Sequence, residues 1–114
     1  MKNAGFSLLE TLVALTVFSI ASVALTSGVV TSIRANNTSE RLTQATILAQ
    51  DKLEALLAIA PNFNTGSDLP RMGFSRTWMI ANNTPYIGVL QIDVSVSWAD
   101  STSHTITVTT VVNE

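Results

Sequence analysis

The feature that most constrains this chain is an uncharged, apolar stretch close to its N-terminus. Residues 11–33 contain no charged side chain, and between Lys2 and Arg34 the one charged residue is Glu10. A helix rises about 1.5 Å per residue, so about 20 residues cross a hydrocarbon core of about 30 Å. The stretch is therefore long enough to span a membrane. Lys2, on its N-terminal side, favours a cytoplasmic start.

Three interpretations of this segment are open on the residues alone. It could be the signal peptide of a secreted protein, with Ser22-Val23-Ala24 as the cleavage site. It could be an uncut signal anchor. The third interpretation starts from Glu10, because a carboxylate costs about 2.5–3.5 kcal/mol at the centre of a spanning helix. Ionisable residues in membrane spans usually have a partner and a task, and the first two interpretations give Glu10 neither.

The residues around Glu10 resemble a known processing motif. The segment Lys2–Leu15, KNAGFSLLETLVAL, is similar to the prepilin cleavage and methylation motif of type IV pilin-like proteins. In that family a short basic leader ends in glycine, an N-methylated phenylalanine follows, and a glutamate is the fifth residue of the mature chain. Gly5, Phe6 and Glu10 have this spacing. The resemblance implies that a membrane aspartyl prepilin peptidase removes residues 1–5 and methylates the amine of Phe6.

The resemblance also implies an assembly role for Glu10. After cleavage the Phe6 amine is a cation near the apolar phase, and Glu10 is an anion in the same region. A buried charge without a partner is strongly destabilising. Pairing Glu10 with the Phe6 amine of a neighbouring subunit would remove both problems and fix the axial register of the subunits.

Helical periodicity continues beyond the apolar stretch. Residues 34–60 contain apolar residues at intervals of three and four, and polar residues occupy most other positions. The stripe consists of Leu42, Ala45, Ala49, Leu53, Leu56 and Ala60. Pro61 then supplies a stop. We therefore expect one helix of about 55 residues, with 6–33 as the membrane and filament stem and 34–60 as an amphipathic continuation.

Small hydroxyl residues share one face of the stem. They recur at intervals of three and four, and they are Thr16, Ser19, Ser22 and Thr26. Such residues let membrane helices approach closely. They could equally well hydrogen-bond to carbonyl groups of their own helix.

The C-terminal part, residues 61–114, is predicted to be a small β head. Residues 62–73 are rich in Asn, Gly, Ser, Asp and Pro and indicate a connecting loop. Period-two alternation and β-branched residues then predict three strands, at 74–81, 87–98 and 105–112. Short connections favour an antiparallel meander, whose apolar face should pack on the helix at 42–60. The expected fold class is α+β.

Candidate chemical groups in the head are few. The single histidine, His104, follows Asp100 closely, and Asp93 is another carboxylate that a metal could use. Neither set predicts a metal site or general base, because no cysteine or second histidine completes it. Trp78 and Trp98 are expected to pack in the core or at a subunit interface. The head also lacks the clustered Lys and Arg that nucleic-acid binding needs. We therefore expect no catalysis, no cofactor, no metal and no nucleic-acid partner.

The head sequence extends the resemblance. Its strand segments are similar to the C-terminal part of PilV-type minor pilins and to I-type minor pseudopilins of type II secretion. The resemblance implies a minor pilin that is anchored in the bacterial inner membrane with a cytoplasmic N-terminus and a periplasmic head. Prepilin peptidase and other pilin subunits would be its partners. The alternatives are a minor pseudopilin of a type II secretion system, or a single-pass anchored binding protein.

Overall fold

The computed structural model describes residues 5–59 and 64–113. These residues form one helix and one sheet: α1 (Leu8–Ala58), β1 (Gly66–Arg71), β2 (Phe74–Asn82), β3 (Val89–Ala99) and β4 (Ser103–Asn113). All neighbouring strands are antiparallel, in the order β1-β2-β3-β4. The chain divides into two compact units, Met1–Ser39 and Glu40–Glu114.

The core of the Glu40–Glu114 unit lies between the C-terminal part of α1 and one face of the sheet. It is formed by Ala45, Ala49, Leu56, Phe74, Ile92, Val94, Val96 and Trp98. Ala45 and Ala49 are completely buried, and both belong to the core cluster that includes residues of β2 and β3. The expected α+β arrangement, with the helix packed on an antiparallel sheet, is confirmed.

The buried stripe of the helix is shorter than the sequence predicts. Leu42 is 45% exposed and lies outside the core, so its predicted burial is wrong. Ala45 is the first helix residue in the core cluster, because the sheet does not cover the helix surface around Leu42. Leu53 is partly buried against the core, as predicted. The predicted end of the helix at Ala60 lies outside the described residues.

Strand β3 occupies the centre of the sheet, between β2 and β4. Its five inward side chains are all buried, as the alternation predicts: Leu90, Ile92, Val94, Val96 and Trp98. The predicted start at Ile87 is wrong. Gly88 has a φ of +82°, which interrupts the extended backbone, and Ile87 is 93% exposed.

Strand β1 lies in the segment that the sequence indicated as a loop. The sheet therefore has four strands, and the prediction of three is wrong. The strand sequence, GSDLPR, has little intrinsic β-propensity. It is extended because it pairs with β2, with Ser67 opposite Thr77 and Asp68 opposite Arg76. Pairing with a neighbouring strand has overridden local preference here.

Candidate functional site at the N-terminal segment

The helix begins with a serine cap. Ser7 precedes Leu8, the first helical residue, and its Oγ accepts a hydrogen bond from the backbone N–H of Glu10 at 3.2 Å. This bond satisfies one of the N–H groups that a helix start leaves without an intrahelical partner. The Ser7 carbonyl also accepts a hydrogen bond from the backbone N–H of Thr11 at 3.1 Å. The motif thus determines where the helix starts.

Glu10 lies in the first helical turn, where the positive end of the helix dipole favours an anion. Ser7 and Glu10 have the spacing of a capping box, in which the glutamate carboxylate bonds back to the backbone of the cap residue. Within the described residues the Glu10 carboxylate makes no such bond, and no cation lies within ion-pair distance of it. Glu10 is exposed. Its carboxylate is therefore available to a group outside these residues.

The Gly5–Phe6 junction lies before the helix. Gly5, Phe6 and Ser7 are exposed and have no regular secondary structure. Peptide bonds in exposed, non-helical backbone are the ones that proteases reach most readily. Cutting here would leave the Ser7 cap and all of α1 intact. The rest of the predicted leader, residues 1–4, lies outside the described residues.

The Met1–Ser39 unit exposes all of its described large apolar side chains. They are Phe6, Leu8, Leu9, Leu12, Val13, Leu15, Val17, Phe18, Ile20, Val23, Leu25, Val29, Val30 and Ile33. A contiguous apolar surface of this size marks a membrane or protein interface. None of the most apolar part of α1 is buried. By length and composition α1 can therefore cross a membrane.

The hydroxyl groups on the stem bond to their own helix. Each donates to a carbonyl one turn earlier: Thr16 to Leu12, Ser19 to Leu15, Ser22 to Phe18, and Thr26 to Ser22, at 2.8–2.9 Å. Such bonds satisfy the hydroxyl donors locally. Of the two interpretations of this stripe, the structure favours local satisfaction, and the small side chains remain on the surface for helix packing.

His104 and Asp100 are brought together at the β3–β4 turn. His104 Nε2 lies 3.2 Å from Asp100 Oδ1 and 3.0 Å from Thr102 Oγ1. The imidazole also stacks on the Trp98 ring, with ring centroids 5.3 Å apart. The Thr102 backbone N–H, and then His104, hold the pKa of Asp100 below its ordinary range. These contacts close the turn between the two strands.

Asp93 lies elsewhere on the sheet, on the face opposite the helix. It accepts hydrogen bonds from the amide of Gln91 at 2.9 Å and from Thr109 Oγ1 at 2.6 Å. In the described part of the chain, no three His, Cys, Asp or Glu side chains form a group that could hold a metal ion. The structure does not bring Asp93 and Asp100 into one site.

The two tryptophans both pack within the Glu40–Glu114 unit. Trp98 is 5% exposed in the core. Trp78 is partly buried, and its indole N–H donates to the Asn64 carbonyl at 2.7 Å. Lys52 of α1 lies over the Trp78 ring, with Nζ 3.6 Å from the centroid. The prediction of packing in the core is confirmed for Trp98, and Trp78 borders that core.

Sequence reasoning missed an ion pair that joins the helix to the sheet. Arg76 bonds to both carboxylate oxygens of Asp68, with Nε 2.8 Å from Oδ1, and its Nη1 donates to the Leu48 carbonyl of α1 at 2.9 Å. The Arg76 side chain is 11% exposed. A signal was present in the sequence, because the alternation Phe74, Arg76, Trp78 places a charged residue on the inward face of β2.

The N-terminal segment matches a known protein-family model. Residues 1–26 match the family model for the prokaryotic N-terminal methylation motif. No curated protein and no solved structure matches the chain. The chain therefore carries the prepilin motif of type IV pilin-like proteins.

The motif and the apolar helix together support a subunit of the pilin or pseudopilin type. The motif implies processing by prepilin peptidase and assembly with other pilin subunits. The apolar helix is consistent with a membrane-anchored precursor.

Proposed function

We propose that this protein is a minor pilin, a structural subunit that joins a type IV pilus through its N-terminal helix. The observation that carries the proposal is the combination of the methylation motif with an exposed, apolar helix and a carboxylate at its start, Glu10, that has no hydrogen-bond or ion-pair partner within the described residues. The precursor sits in the inner membrane with a cytoplasmic N-terminus and a periplasmic head. Prepilin peptidase cuts between Gly5 and Phe6 and methylates the Phe6 amine.

Assembly then depends on the charge pair between subunits. The Phe6 amine of one subunit pairs with Glu10 of its neighbour inside an apolar environment. The Ser7 cap supports this pairing because it satisfies the Glu10 backbone N–H without using the carboxylate. Removing one partner of a buried pair leaves an uncompensated charge, which destabilises the assembly by about 3–5 kcal/mol. The pair therefore selects the axial register in which each amine meets a carboxylate.

The test is Glu10→Gln in the full-length protein. The substitution keeps the size and removes the charge, so insertion and cleavage should proceed and entry into the filament should fail. The measurement is the amount of this subunit in sheared filaments relative to the membrane pool. Glu40→Gln is the matched control, since Glu40 is also an exposed carboxylate on α1 but lies outside the apolar stretch. Normal incorporation of Glu10→Gln would refute the charge-pair mechanism.

A minor pseudopilin of a type II secretion system is the second candidate. The same motif and the same apolar helix favour it equally. Deleting the gene separates the two candidates. A pilin mutant loses surface pili while secretion continues, whereas a pseudopilin mutant retains secreted enzymes in the periplasm. If the mutant lost neither surface pili nor secretion, the result would favour a single-pass anchored binding protein, for which Glu10 would have no role.

The proposal includes no catalytic step by this chain. Charged head residues form structural contacts with one another, as with Arg76 and Asp68 or His104 and Asp100. The chemistry at Gly5 and Phe6 is performed on the chain by the peptidase. Purified protein should therefore show no hydrolase activity on peptide or ester substrates, and turnover abolished by a head substitution would overturn this part of the proposal.

A further inference from the structure

The two edges of the sheet differ in how they are protected. In the order β1-β2-β3-β4, strands β1 and β4 each have one side without a paired strand among the described residues. Such a side presents backbone N–H and C=O groups that can pair with another chain. Proteins usually blunt these edges with short strands, charges, proline or bulges.

The β1 edge carries several of these protective features. The strand has six residues, and it includes the charged residues Asp68 and Arg71 together with Pro70. Its pairing register shifts between Asp68 and Arg71. Proline removes a backbone donor, and an irregular register bends the strand away from a flat edge. Another strand would pair poorly here.

The β4 edge has none of these features within its described length. The strand has eleven residues, SHTITVTTVVN, with no proline and no Asp, Glu, Lys or Arg. Its pairing with β3 runs without a register shift from Val89–Asn113 to Ala99–Ser103. It is also rich in β-branched residues, which favour extended backbone. This long, regular and uncharged edge can accept a further strand.

The side chains of β4 define what that strand would contain. The inward residues Ile106, Val108 and Val112 are only partly buried against the core, and no further strand lies beside them in the described part of the chain. The outward positions include Thr105, Thr107 and Thr109, which are exposed. A matching strand would place apolar residues beside the first set and hydroxyl or other uncharged polar residues beside the second.

We propose that β4 pairs with an extended, uncharged segment of a different pilin-type subunit, so that the sheet continues across the subunit boundary. The proposal rests on the proposed function, because assembly with other pilin subunits supplies the class of partner. Backbone hydrogen bonds would give affinity, and the apolar–hydroxyl alternation would give specificity. The added strand would also complete the burial of Ile106, Val108 and Val112.

A second copy of this chain does not fit the same position. Extending the sheet with an antiparallel β4 from an identical subunit requires a two-fold axis perpendicular to the sheet. That rotation reverses the direction of α1 residues 40–58, which pack along the sheet face. The N-terminal ends of the two helix segments would then point in opposite directions. Copies of one subunit in a polar filament are related by rotation about the filament axis and translation along it, and such an operation does not create this two-fold axis.

The first experiment maps contacts of full-length protein in assembled filaments. A photo-crosslinking amino acid is placed at Thr107 on β4, at Thr77 on central β2, or at Ser67 on β1, all outward and exposed. Thr77 and Ser67 are matched controls, because Ser67, Thr77, Ser95 and Thr107 form one row across the sheet. The expected yield from Thr107 is at least tenfold higher than from either control. The crosslinked product should be another protein that carries the methylation motif.

Three results of this experiment would overturn the inference. They are equal yields from Thr77 and Thr107, crosslinks from Thr107 only to a second copy, and no crosslink from Thr107 in filaments that contain the subunit. If the subunit were missing from both filaments and secretion complexes, the proposed function would fail instead. The amount of subunit in each assembly, measured in the same samples, separates these cases.

The second experiment uses two lysines on opposite faces of β4. Thr110 points inward at the edge and is partly buried, whereas its neighbour Val111 points outward and is 51% exposed. In Thr110→Lys the ammonium group can reach water around the free edge, but an added strand would bury it. The lysine of Val111→Lys keeps its charge in water whether or not a strand is added to β4. Both variants should fold. The amount of subunit in assembled filaments should fall at least tenfold for Thr110→Lys and stay unchanged for Val111→Lys. Equal incorporation of the two variants would refute strand addition at β4.

Discussion

Replacing Asp68 with asparagine should destabilise the Glu40–Glu114 unit by about 1–2 kcal/mol. Asp68 is the carboxylate that holds Arg76 against both the sheet and the helix. Hydrogen bonds to charged groups contribute about 1.5–3 kcal/mol, and fully exposed ion pairs about 0–1 kcal/mol. The contribution of the Arg76–Asp68 pair should lie between these limits, because the Arg76 side chain is 11% exposed and that of Asp68 is 36% exposed.

Replacing Arg76 with methionine should have a larger effect, about 2–3 kcal/mol. The substitution removes the bonds to Asp68 and also the hydrogen bond that Arg76 donates to the Leu48 carbonyl. Because the two residues contact each other, the effects of Asp68→Asn and Arg76→Met should not add. The double variant should be more stable than the sum of the single effects predicts, by about 1 kcal/mol.

Tryptophan fluorescence during urea unfolding in detergent is a suitable assay. Trp78 and Trp98 are the only two tryptophans, and both lie in the Glu40–Glu114 unit. The signal therefore reports on that unit and not on the apolar stem. Asp51→Asn is the control, since Asp51 is an exposed carboxylate on the same helix, and its effect should stay within about 0.5 kcal/mol.

Acidification gives an independent check on the same pair. The hydrogen bond from Arg76 holds the pKa of Asp68 below its ordinary range. A carboxylate whose pKa is lowered by folding contributes stability above its unfolded pKa of about 4, and this contribution is lost as the pH falls through the folded value. The stability difference between wild type and Asp68→Asn should therefore shrink below about pH 4. A difference that stays constant to pH 2, or a double variant with strictly additive effects, would refute the ion-pair account.

Three further predictions concern processing, packing and the independence of the head. Intact-mass measurement of the membrane-extracted protein should show cleavage between Gly5 and Phe6 with one added methyl group, and a mature chain that begins deeper in the apolar segment would contradict the prepilin interpretation. Gly66→Ala should destabilise the head by about 1–3 kcal/mol in the fluorescence assay, since an added Cβ would lie 2.7 Å from Cζ2 of Trp78; an unchanged midpoint would refute this close approach. A fragment that begins near Arg34 should be soluble and show mixed helix and strand circular dichroism, and a wholly disordered fragment would show that the head needs a partner subunit.

The helix and its motif could be predicted from the sequence because their signals are local. A membrane-length apolar stretch is recognisable from composition, and the Gly5–Phe6–Glu10 spacing lies within a few residues. Strand β3 could also be predicted from the sequence, since burial on one face of a sheet imposes strict alternation of apolar and polar residues on a single segment. These properties belong to contiguous residues and do not depend on which other segment lies beside them.

The tertiary structure decided the features that depend on a neighbour. Strand β1 has the composition of a loop and is extended because β2 supplies its hydrogen-bond partners. Arg76 bonds to the helix because the sheet brings β2 under Leu48, 28 residues earlier in the chain. Whether an edge of the sheet is open also depends on strand order, which places β4 last. Local sequence specifies what each segment can form, whereas the free energy of pairing and packing between distant segments selects what it does form.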